Sequence, residues 1–523
     1  MDQYEACELF SLYAFQKNEP EEAYLQLTNQ IINYANGLPL ALKIIGSDLR
    51  KKSLSQWESA LEKYKKIPNK DILKILKMSY KGLDPSEKDI FLDIAFFFIG
   101  KNKDYVVNIL EACHFFPNYG IPKLIDKCLI TIDGCGNLSM HNLLQQMGEK
   151  IVQRESPQAL GKRTRLRDYA DACTVLTGNT GPNKIRGLML YPPEPVTLKL
   201  HAQAFKRMEN IKFLIVNNVY IDGCLEYLPN NLVLLDWPYC SVSLPSNFRP
   251  QQLVVFNMSH SNIRIHKLFK PVLPFENLKR INLSGCESIQ KLPKLWAPNL
   301  EILNLSHCTN LVEIHEPARF LDKLKIWYLT NCKKLRALPR RLKFKCLVDF
   351  HLQHCESIQE LPELCAPNLE ILYLSDCTNL VKVHESIGLL DKLEDLHLGD
   401  CGKLQTLPRR LPLKSLQSFD LSGCTSLENF PDIDSVTKCL RCLYMRGSGT
   451  SLERNFLDSI YKFQNVNVLS LSTNLPRPSC NSFDGCLGYL FLQLTELNLF
   501  GENVTELDFL EFDYFPALTR LHL

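Results

Sequence analysis

The sequence carries no large excess of charge of either sign. Its 60 Lys and Arg residues against 57 Asp and Glu residues leave a formal net charge of +3 over 523 residues. A balance this close to neutral argues against non-specific nucleic-acid binding as the main role. Glycine and proline are also scarce, at 23 and 29 residues, which excludes a collagenous or low-complexity chain. The remaining composition is that of a globular protein, with length for about three or four domains.

Long hydrophobic runs and a secretory signal are also lacking. The longest apolar stretch, Phe91 to Gly100, contains Asp93 and is about half of the roughly 20 residues that span a bilayer. The first residues show no basic segment followed by an apolar one, as a signal peptide would. The 20 cysteines are few for this length, and reduced thiols are expected without secretion. We therefore expect no membrane span and a cytoplasmic location, with a nucleocytoplasmic one as the alternative.

Residues 1 to about 155 show helical periodicity. Apolar residues recur at helix spacing, as at Leu27 and Ile31, and Gly37-Leu38-Pro39 marks a break between two helices. The run Phe91 to Ile99 is too apolar for a surface helix and predicts a buried one. Leu129 to Met140 predicts two short strands joined by a glycine turn. Helices followed by such a hairpin indicate a winged-helix module.

From about residue 210 onward the pattern changes to a repeated unit, L-x-x-L-x-L-x-x-C. About fourteen units of 21 to 28 residues follow one another, which is the period of leucine-rich repeats. Weaker copies begin near Ile211, Leu232, Leu253, Leu440, Val466, Leu494 and Leu518. The strongest copies are Leu278/Ile281/Leu283/Cys286, Leu300/Leu303/Leu305/Cys308, Leu324/Trp327/Leu329/Cys332, Leu347/Phe350/Leu352/Cys355, Leu369/Leu372/Leu374/Cys377, Leu393/Leu396/Leu398/Cys401 and Leu416/Phe419/Leu421/Cys424.

Each repeat has to stack on its neighbours, because a single one cannot bury its own leucines. The predicted fold class is mixed α+β and α/β. A helical and winged-helix amino-terminal part is followed by a curved leucine-rich-repeat solenoid with a parallel β-sheet on its concave face. The repeated Cys falls where the chain leaves the strand, which suits a small, buried side chain that donates weakly. A redox or metal site at His307-Cys308 or His354-Cys355 is disfavoured, since each Cys lies on a different coil, and no metal site is expected.

Three coils are duplicated in tandem. The segment CESIQKLPKLWAPNLEILNLSHCTNLV from Cys286 recurs 69 residues later, from Cys355, as CESIQELPELCAPNLEILYLSDCTNLV. The strand leucines are largely retained, whereas predicted sheet-face positions differ, for example Lys325-Ile326 against Glu394-Asp395. A retained core with a varied face is typical of a binding surface, although exposed positions also drift without selection.

The middle column of that predicted face is rich in Tyr and His. It includes Tyr328, His351, Tyr373, His397 and Tyr444. Aromatic side chains dominate the energetics of many protein interfaces, so these five are the predicted partner-binding residues. The alternative is that they are ordinary sheet-face residues.

A basic run from Lys333 to Lys345 follows one predicted strand, on the outer side of its coil. Such a run is usually a solvated surface. The alternative is a docking site for an acidic domain or for phospholipid head groups.

Five short motifs occur in order along the chain. They are E-L-F with A-F between Glu8 and Phe15, G-L-P-L-A-L from Gly37, F-L-D-I-A from Phe91, M-H-N-L-L-Q from Met140 and G-K-R-T-R-L from Gly161. Together with the repeats, these motifs resemble plant intracellular disease-resistance receptors of the TIR, nucleotide-binding, leucine-rich-repeat class. The chain departs from the family pattern at Asn142, where the family has Asp, and at Arg167, where it has Trp.

The resemblance implies an ADP/ATP switch in the full-length family. The family's GLPL proline packs near the adenine and its MHD histidine bonds the ADP phosphate, which carries over to Pro39 and His141. Met140, His141 and Asn142 would form the switch motif, with Asn142 lacking the aspartate's charge. The sequence contains neither a GxxxxGK[ST] phosphate loop nor the TIR domain that cleaves NAD in the family. We therefore expect a fragment with no enzymatic activity and weak or no nucleotide binding.

The same resemblance implies a domain order and a function. Residues 1–65 would be a helical ARC-like remnant of the NB-ARC domain, 66–155 a winged-helix ARC-like domain, 156–209 a linker and 210–523 the repeat solenoid. The repeats would recognise a pathogen effector or a guarded host protein, and would restrain the switch through intramolecular contacts with the NB-ARC region. The alternative is a truncated, non-signalling scaffold or decoy that binds a full-length receptor or an effector. No specific nucleic acid is an expected partner, and no membrane span is expected.

Overall fold

The computed structural model describes most of the chain and divides it into two compact units. Unit 1 comprises Met1–Pro193, Ala204–Ile215 and Asn231–Leu234, and unit 2 comprises Glu194–Gln203, Val216–Asn230 and Leu235–Leu523. The described residues are 2–35, 38–66, 70–178, 184–263, 265, 269, 274–314, 321–408, 411, 414–431, 439–448, 465–472, 493–500 and 517–522. Gly37 of the predicted inter-helix break lies outside them.

Unit 1 is mostly helical, as its sequence periodicity predicts. Its α-helices are α1 (Gln3–Ala14), α2 (Leu25–Ala35), α3 (Pro39–Leu49), α4 (Leu54–Lys66), α5 (Lys70–Lys81), α6 (Pro85–Asp93), α7 (Lys103–Ala112), α8 (Pro117–Asp126), α9 (Asn142–Glu155) and α10 (Tyr169–Thr177). Short 3-10 helices cover Glu22–Tyr24 and Leu160–Lys162, and its short strands are β1 (Thr131–Ile132), β2 (Leu138–Ser139), β3 (Arg165–Leu166) and β4 (Gly187–Leu190).

The sequence of α6 explains where this helix begins and why it is buried. The Asp84 carboxylate accepts from the Glu87 backbone N–H, and Glu87 accepts in return from the Asp84 N–H, both at 2.9 Å, which satisfies two of the helix's unpaired donors. Pro85 occupies the first helical position, where it has no N–H to leave unpaired. A buried π-helical segment, Ile94–Phe98, continues the helix. The prediction of a buried helix over Phe91 to Ile99 is confirmed.

The predicted hairpin is also present. β1 and β2 pair antiparallel, with Thr131 opposite Ser139 and Ile132 opposite Leu138. The Asp133 carboxylate accepts backbone N–H bonds from Cys135 and Asn137 at 2.9 and 2.8 Å. These bonds hold the turn closed, and the chain then passes through Met140 and His141 of the predicted switch motif into α9.

Unit 2 is built around short parallel strands. Its main sheet takes β9 (Val255–Asn257), β10 (Arg280–Asn282), β12 (Ile302–Asn304), β14 (Ile326–Tyr328), β16 (Asp349–His351), β19 (Ile371–Tyr373), β21 (Asp395–His397), β22 (Ser418–Asp420), β23 (Cys442–Tyr444), β24 (Val468–Ser472), β25 (Glu496–Phe500) and β26 (Arg520–His522), paired in that order. All these pairings are parallel. The predicted leucine-rich-repeat solenoid with a parallel sheet is confirmed.

The remaining strands are short or lie near the unit boundary. They are β5 (Val196–Lys199), β6 (Phe213–Val216), β7 (Val219–Asp222), β8 (Leu234–Asp236), β11 (Lys291–Leu292), β13 (Glu313–Ile314), β15 (Arg341–Lys343), β17 (Glu360–Leu361), β18 (Glu363–Cys365) and β20 (Lys382–Val383), with a 3-10 helix at Glu385–Leu389. β5 pairs with β7, β11 with β13, β15 with β18 and β17 with β20, each in parallel. No helix among the described residues is long and apolar enough to cross a membrane.

The repeated cysteines form a ladder of buried hydrogen bonds. Cys308 Sγ donates to the Leu283 carbonyl of the preceding coil at 3.2 Å, and Cys355 Sγ does the same to Leu329. The equivalent cysteines at 286, 332, 377, 401 and 424 repeat the bond at 3.1 to 3.2 Å. The residue before each Cys has a positive φ, as at His307 and His354. Both of these His residues are exposed whereas the Cys that follows each is buried.

Candidate functional site

His141 of the predicted switch motif joins two helices of unit 1. Its Nδ1 accepts from the Leu143 backbone N–H at 3.1 Å, which makes it the N-cap of α9. Its Nε2 lies 2.6 Å from the carbonyl oxygen of Ala35, the last residue of α2. The same oxygen accepts from the Leu38 N–H at 2.9 Å. The structure therefore places His141 of the MHNLLQ motif beside the end of α2. The Ala35 carbonyl that it contacts also bonds Leu38, the residue before Pro39.

The other switch-motif residues differ in their exposure. Met140 is buried, whereas Asn142 and Pro39 are exposed at the first positions of α9 and α3. Both ring nitrogens of His141 are bonded within the chain, so its imidazole, as placed here, does not fit a nucleotide phosphate. The family role of Pro39 and His141 in nucleotide binding stays a prediction.

A buried ion network connects two of the motifs. Asp93 of FLDIA has no exposed surface, and its Oδ1 accepts from Arg165 Nε of GKRTRL at 2.7 Å. Its Oδ2 accepts from Arg186 at 3.0 Å, and Asp89 accepts from Arg165 at 2.8 Å. The adjacent acids raise the already high pKa of the Arg165 guanidinium against the opposing effect of burial. The sequence patterns do not predict this network, although an Asp inside the longest apolar stretch is a signal that a cationic partner is needed.

In unit 2 the predicted partner-binding residues lie on neighbouring strands in register. We call the solvent-facing side of the main sheet the sheet face. Tyr328, His351, Tyr373 and His397 are successive partners across β14, β16, β19 and β21. Asp420 and then Tyr444 follow them on β22 and β23. The structure thus brings four of the five together and separates Tyr444 from them by one strand.

The four adjoining rings form a continuous ladder. Ring centroids are 4.6 Å apart between Tyr328 and His351, 5.1 Å between His351 and Tyr373, and 4.7 Å between Tyr373 and His397. Burial raises the pKa of Tyr328 and Tyr373, and it lowers the pKa of His351. At neutral pH these groups are therefore uncharged, half-buried surfaces that can both pack and hydrogen-bond.

The same column continues in register from Tyr328 to Asn304 on β12 and Asn282 on β10, and its Asn and Asp members behave differently. The side-chain oxygens of Asn282, Asn304 and Asp420 each accept the backbone N–H two residues further on, at 3.1, 2.9 and 2.9 Å. These side chains serve the local backbone turn. The Tyr and His members between them do not bond the backbone in this way. His351 Nδ1 lies 3.4 Å from the Gln353 side-chain amide and His397 Nε2 lies 3.2 Å from the Ser418 hydroxyl, and all four rings stay partly exposed.

The basic run between Lys333 and Lys345 is engaged by neighbouring coils. Arg341 makes two hydrogen bonds of 2.6 Å to the Glu363 carboxylate. Lys333 pairs with Glu356 at 2.8 Å and Lys345 with Asp322 at 2.6 Å. This arrangement favours the solvated-surface interpretation of the run.

Comparison with known proteins gives one domain match and several long ones. The winged-helix domain of Roq1-like disease resistance proteins matches residues 84–156, and the winged-helix prediction is confirmed. TMV resistance protein N of Nicotiana glutinosa is 32% identical over 515 residues, covering 92% of this chain and 44% of that protein. Disease resistance-like protein DSC1 of Arabidopsis thaliana is 34% identical over 532 residues, covering 95% and 43%.

A further relative and a solved structure also match the chain. Disease resistance protein RPS6 of Arabidopsis thaliana is 33% identical over 496 residues, covering 84% of this chain and 43% of that protein. A solved leucine-rich-repeat protein of Leptospira interrogans covers 68% of this chain at 16% identity, with a TM-score of 0.34. The chain spans less than half the length of the resistance proteins that it matches. Its domain match, its relatives and its repeats make the chain similar, over most of its length, to plant disease resistance proteins.

Proposed function

We propose that the sheet face of this chain recognises a protein partner for a cytoplasmic plant immune receptor. The partner is a pathogen effector or a host protein that an effector modifies. The relatives support a role in resistance, since one of them carries tobacco mosaic virus resistance in its name. The chain itself acts by binding and carries out no catalytic step.

The ring ladder is the observation that carries this proposal. Four half-buried Tyr and His rings adjoin in register on a rigid sheet. Interface hot spots are enriched in aromatic residues that lose little conformational entropy on binding. The flanking Asn and Asp side chains are bonded to their own backbone, so the partly exposed ring faces are the surfaces available for a partner.

Unit 1 would supply the responsive part of the receptor. The His141 imidazole bonds both the end of α2 and the start of α9. A conformational change that moves this imidazole away would therefore break the contact between the two helices. In the full-length family this response is driven by ADP and ATP. For this chain we propose weak or no nucleotide binding, because the His141 nitrogens are already bonded. Nucleotide released from the purified chain by denaturation, and measured by chromatography, tests this: one ADP per chain would contradict it.

The recognition proposal is tested by a two-hybrid screen with the whole chain as bait. The prey are secreted pathogen proteins and leaf proteins. Each interactor is retested against Tyr328→Ala, Tyr373→Ala and His397→Ala combined, and against Tyr220→Ala as a control on an exposed Tyr elsewhere. Loss of two or three hot-spot side chains weakens binding by about 100-fold or more. Interactors that bind the triple variant as well as the unchanged chain would refute the proposal. A loss of binding supports it only if the triple variant keeps the thermal midpoint of the unchanged chain.

A further inference from the structure

Strands that lie 69 residues apart present sheet faces of different charge. We call β10, β12 and β14 the first copy and β16, β19 and β21, each 69 residues further on, the second copy. β10 and β16 precede the nearly identical segments that begin at Cys286 and Cys355. At the two positions after the first leucine of each strand, the first copy carries Lys279, Arg280, Glu301 and Lys325. The corresponding residues of the second copy that carry charge are Asp349, Glu370, Glu394 and Asp395. Three basic residues and one acidic residue in the first copy thus compare with four acidic residues in the second.

Charges in the first copy are matched to one another. Glu301 lies 3.0 Å from the Lys325 ammonium and 3.8 Å from that of Lys279. In the second copy, no described Lys or Arg nitrogen lies within 4.0 Å of Asp349, Glu370, Glu394 or Asp395. Glu394 instead accepts from the neutral Gln417 amide at 2.8 Å. Glu370 corresponds to Glu301, but it lacks the neighbouring basic residues that Glu301 has, and no described Lys or Arg replaces them.

Further carboxylates continue this acidic face along one edge of the sheet. Asp376 and Asp400 occupy successive left-handed turn positions, and the Asp420 carboxylate lies close to Gly399. Asp376 lies 3.5 Å from the Nδ1 atom of His354, which adds a positive charge only when it is protonated. Burial raises the pKa of Asp400, with Asp376 and Asp420 adding to the effect and Arg446 opposing it. Burial also raises the pKa of Asp349, and Glu370 adds to that effect. Like charges that repel in the free protein are relieved when a cation binds.

We propose that the second-copy face binds a Lys- or Arg-rich segment of a partner protein. This inference rests on the proposed function, because the same ring ladder passes through the face. Tyr373 lies between His351 and His397, on the strand between those that carry Asp349 and Asp395. A guanidinium can stack on such a ring while it pairs with an adjacent carboxylate. Nucleic acids and acidic lipid surfaces are repelled by the same charges.

The test replaces second-copy residues by those of the first copy. The triple variant Asp349→Arg, Glu394→Lys and Asp395→Ile uses side chains that positions 280, 325 and 326 already hold in the equivalent environment. The matched control, Lys325→Glu with Ile326→Asp, makes the opposite exchange in the first copy. The probes are a fluorescent twelve-residue peptide of alternating Arg and Gly and its Glu and Gly counterpart, followed by anisotropy at 50 and 500 mM NaCl.

We expect the basic peptide to bind the unchanged chain, the acidic one not to bind, and salt to weaken binding. The triple variant is expected to bind the basic peptide at least about 10-fold more weakly, and the control variant at least as tightly as the unchanged chain. Equal binding by the triple variant, or no preference for the basic peptide, would overturn the inference.

Failure of this inference can be told apart from failure of the proposed function. Both variant sets are compared on the same interactors from the two-hybrid screen. If the Tyr and His variant loses an interactor and the charge variant keeps it, only the charge inference fails. If the Tyr and His variant keeps every interactor, the proposed function fails, and the peptide measurement still decides whether the face is cation-binding.

Discussion

Asp93 and Arg165 form a fully buried ion pair, with 2.7 Å between Oδ1 and Nε. They come from sequence motifs 72 residues apart, at the end of α6 and in β3. Arg186, just before β4, takes the second Asp93 oxygen at 3.0 Å and stacks on Phe115 with 4.1 Å to the ring centroid. The carboxylate therefore fixes the segment after α9 against the buried helix of the winged-helix domain.

Replacing Asp93 by Asn should destabilise the chain severely. Asn has nearly the same shape but leaves Arg165 charged, buried and without its main partner, which costs about 3–5 kcal/mol of unfolding free energy. The measurement is urea denaturation followed by circular dichroism. Glu21→Gln is the control, since its pair with Lys17 is exposed and such pairs contribute less than about 1 kcal/mol. An equal loss in both variants would contradict this account of Asp93.

His141→Ala should lower stability by about 1–2 kcal/mol, because it removes the N-cap of α9 and the bond to the Ala35 carbonyl. His141→Asn separates the two effects. Its short amide can still cap α9 but is too short to reach Ala35, so it should recover part of the loss. Urea denaturation of both variants distinguishes the contributions, and full recovery with Asn would show that the bond to Ala35 contributes nothing.

The repeat architecture could be predicted because its signal is periodic. Each leucine column has to be buried, so the register of Tyr328, His351 and Tyr373 followed directly from their place in the repeat. The ion network could not be predicted, because the sequence does not show which residue pairs with a buried charge. Asp93 and Arg165 are 72 residues apart. β3 is only two residues long, which is too short for a periodic pattern, and its role depends on the tertiary contacts of Arg165.

The site was predictable to the level of position but not of bonding. The sequence places Asn304, Tyr373 and Asp420 in one column, as the structure does. It does not show that Asn304 and Asp420 fold back onto their own backbone while Tyr373 packs against its neighbours. Likewise, the MHNLLQ motif names His141 but not the Ala35 carbonyl that it contacts.

Acid should destabilise the repeats partly through His351. Burial lowers the pKa of His351, so the unfolded chain binds this proton more tightly than the folded one. Stability is unaffected well above the ordinary His value of about 6.5 and declines as the pH falls below it. His351→Asn should therefore lose less stability between pH 7.5 and 5.5 than the unchanged chain does. Tyr373→Phe is the control, because it alters the same ladder without removing a group that titrates in this range, and an unchanged slope in the His351 variant would contradict the prediction.

The repeat cysteines should resist alkylation in the folded chain. Burial raises the pKa of Cys286 to about 11 and that of Cys308 to about 12, and the thiolate is the reactive species. Cys128 and Cys224 are exposed and should react with iodoacetamide at pH 7.5 within minutes. Peptide mass spectrometry measures each site, and the same reaction in guanidinium chloride shows that every thiol is reactive once the chain is unfolded. Modification of Cys308 in the native chain as fast as Cys128 would contradict the protection that its burial provides.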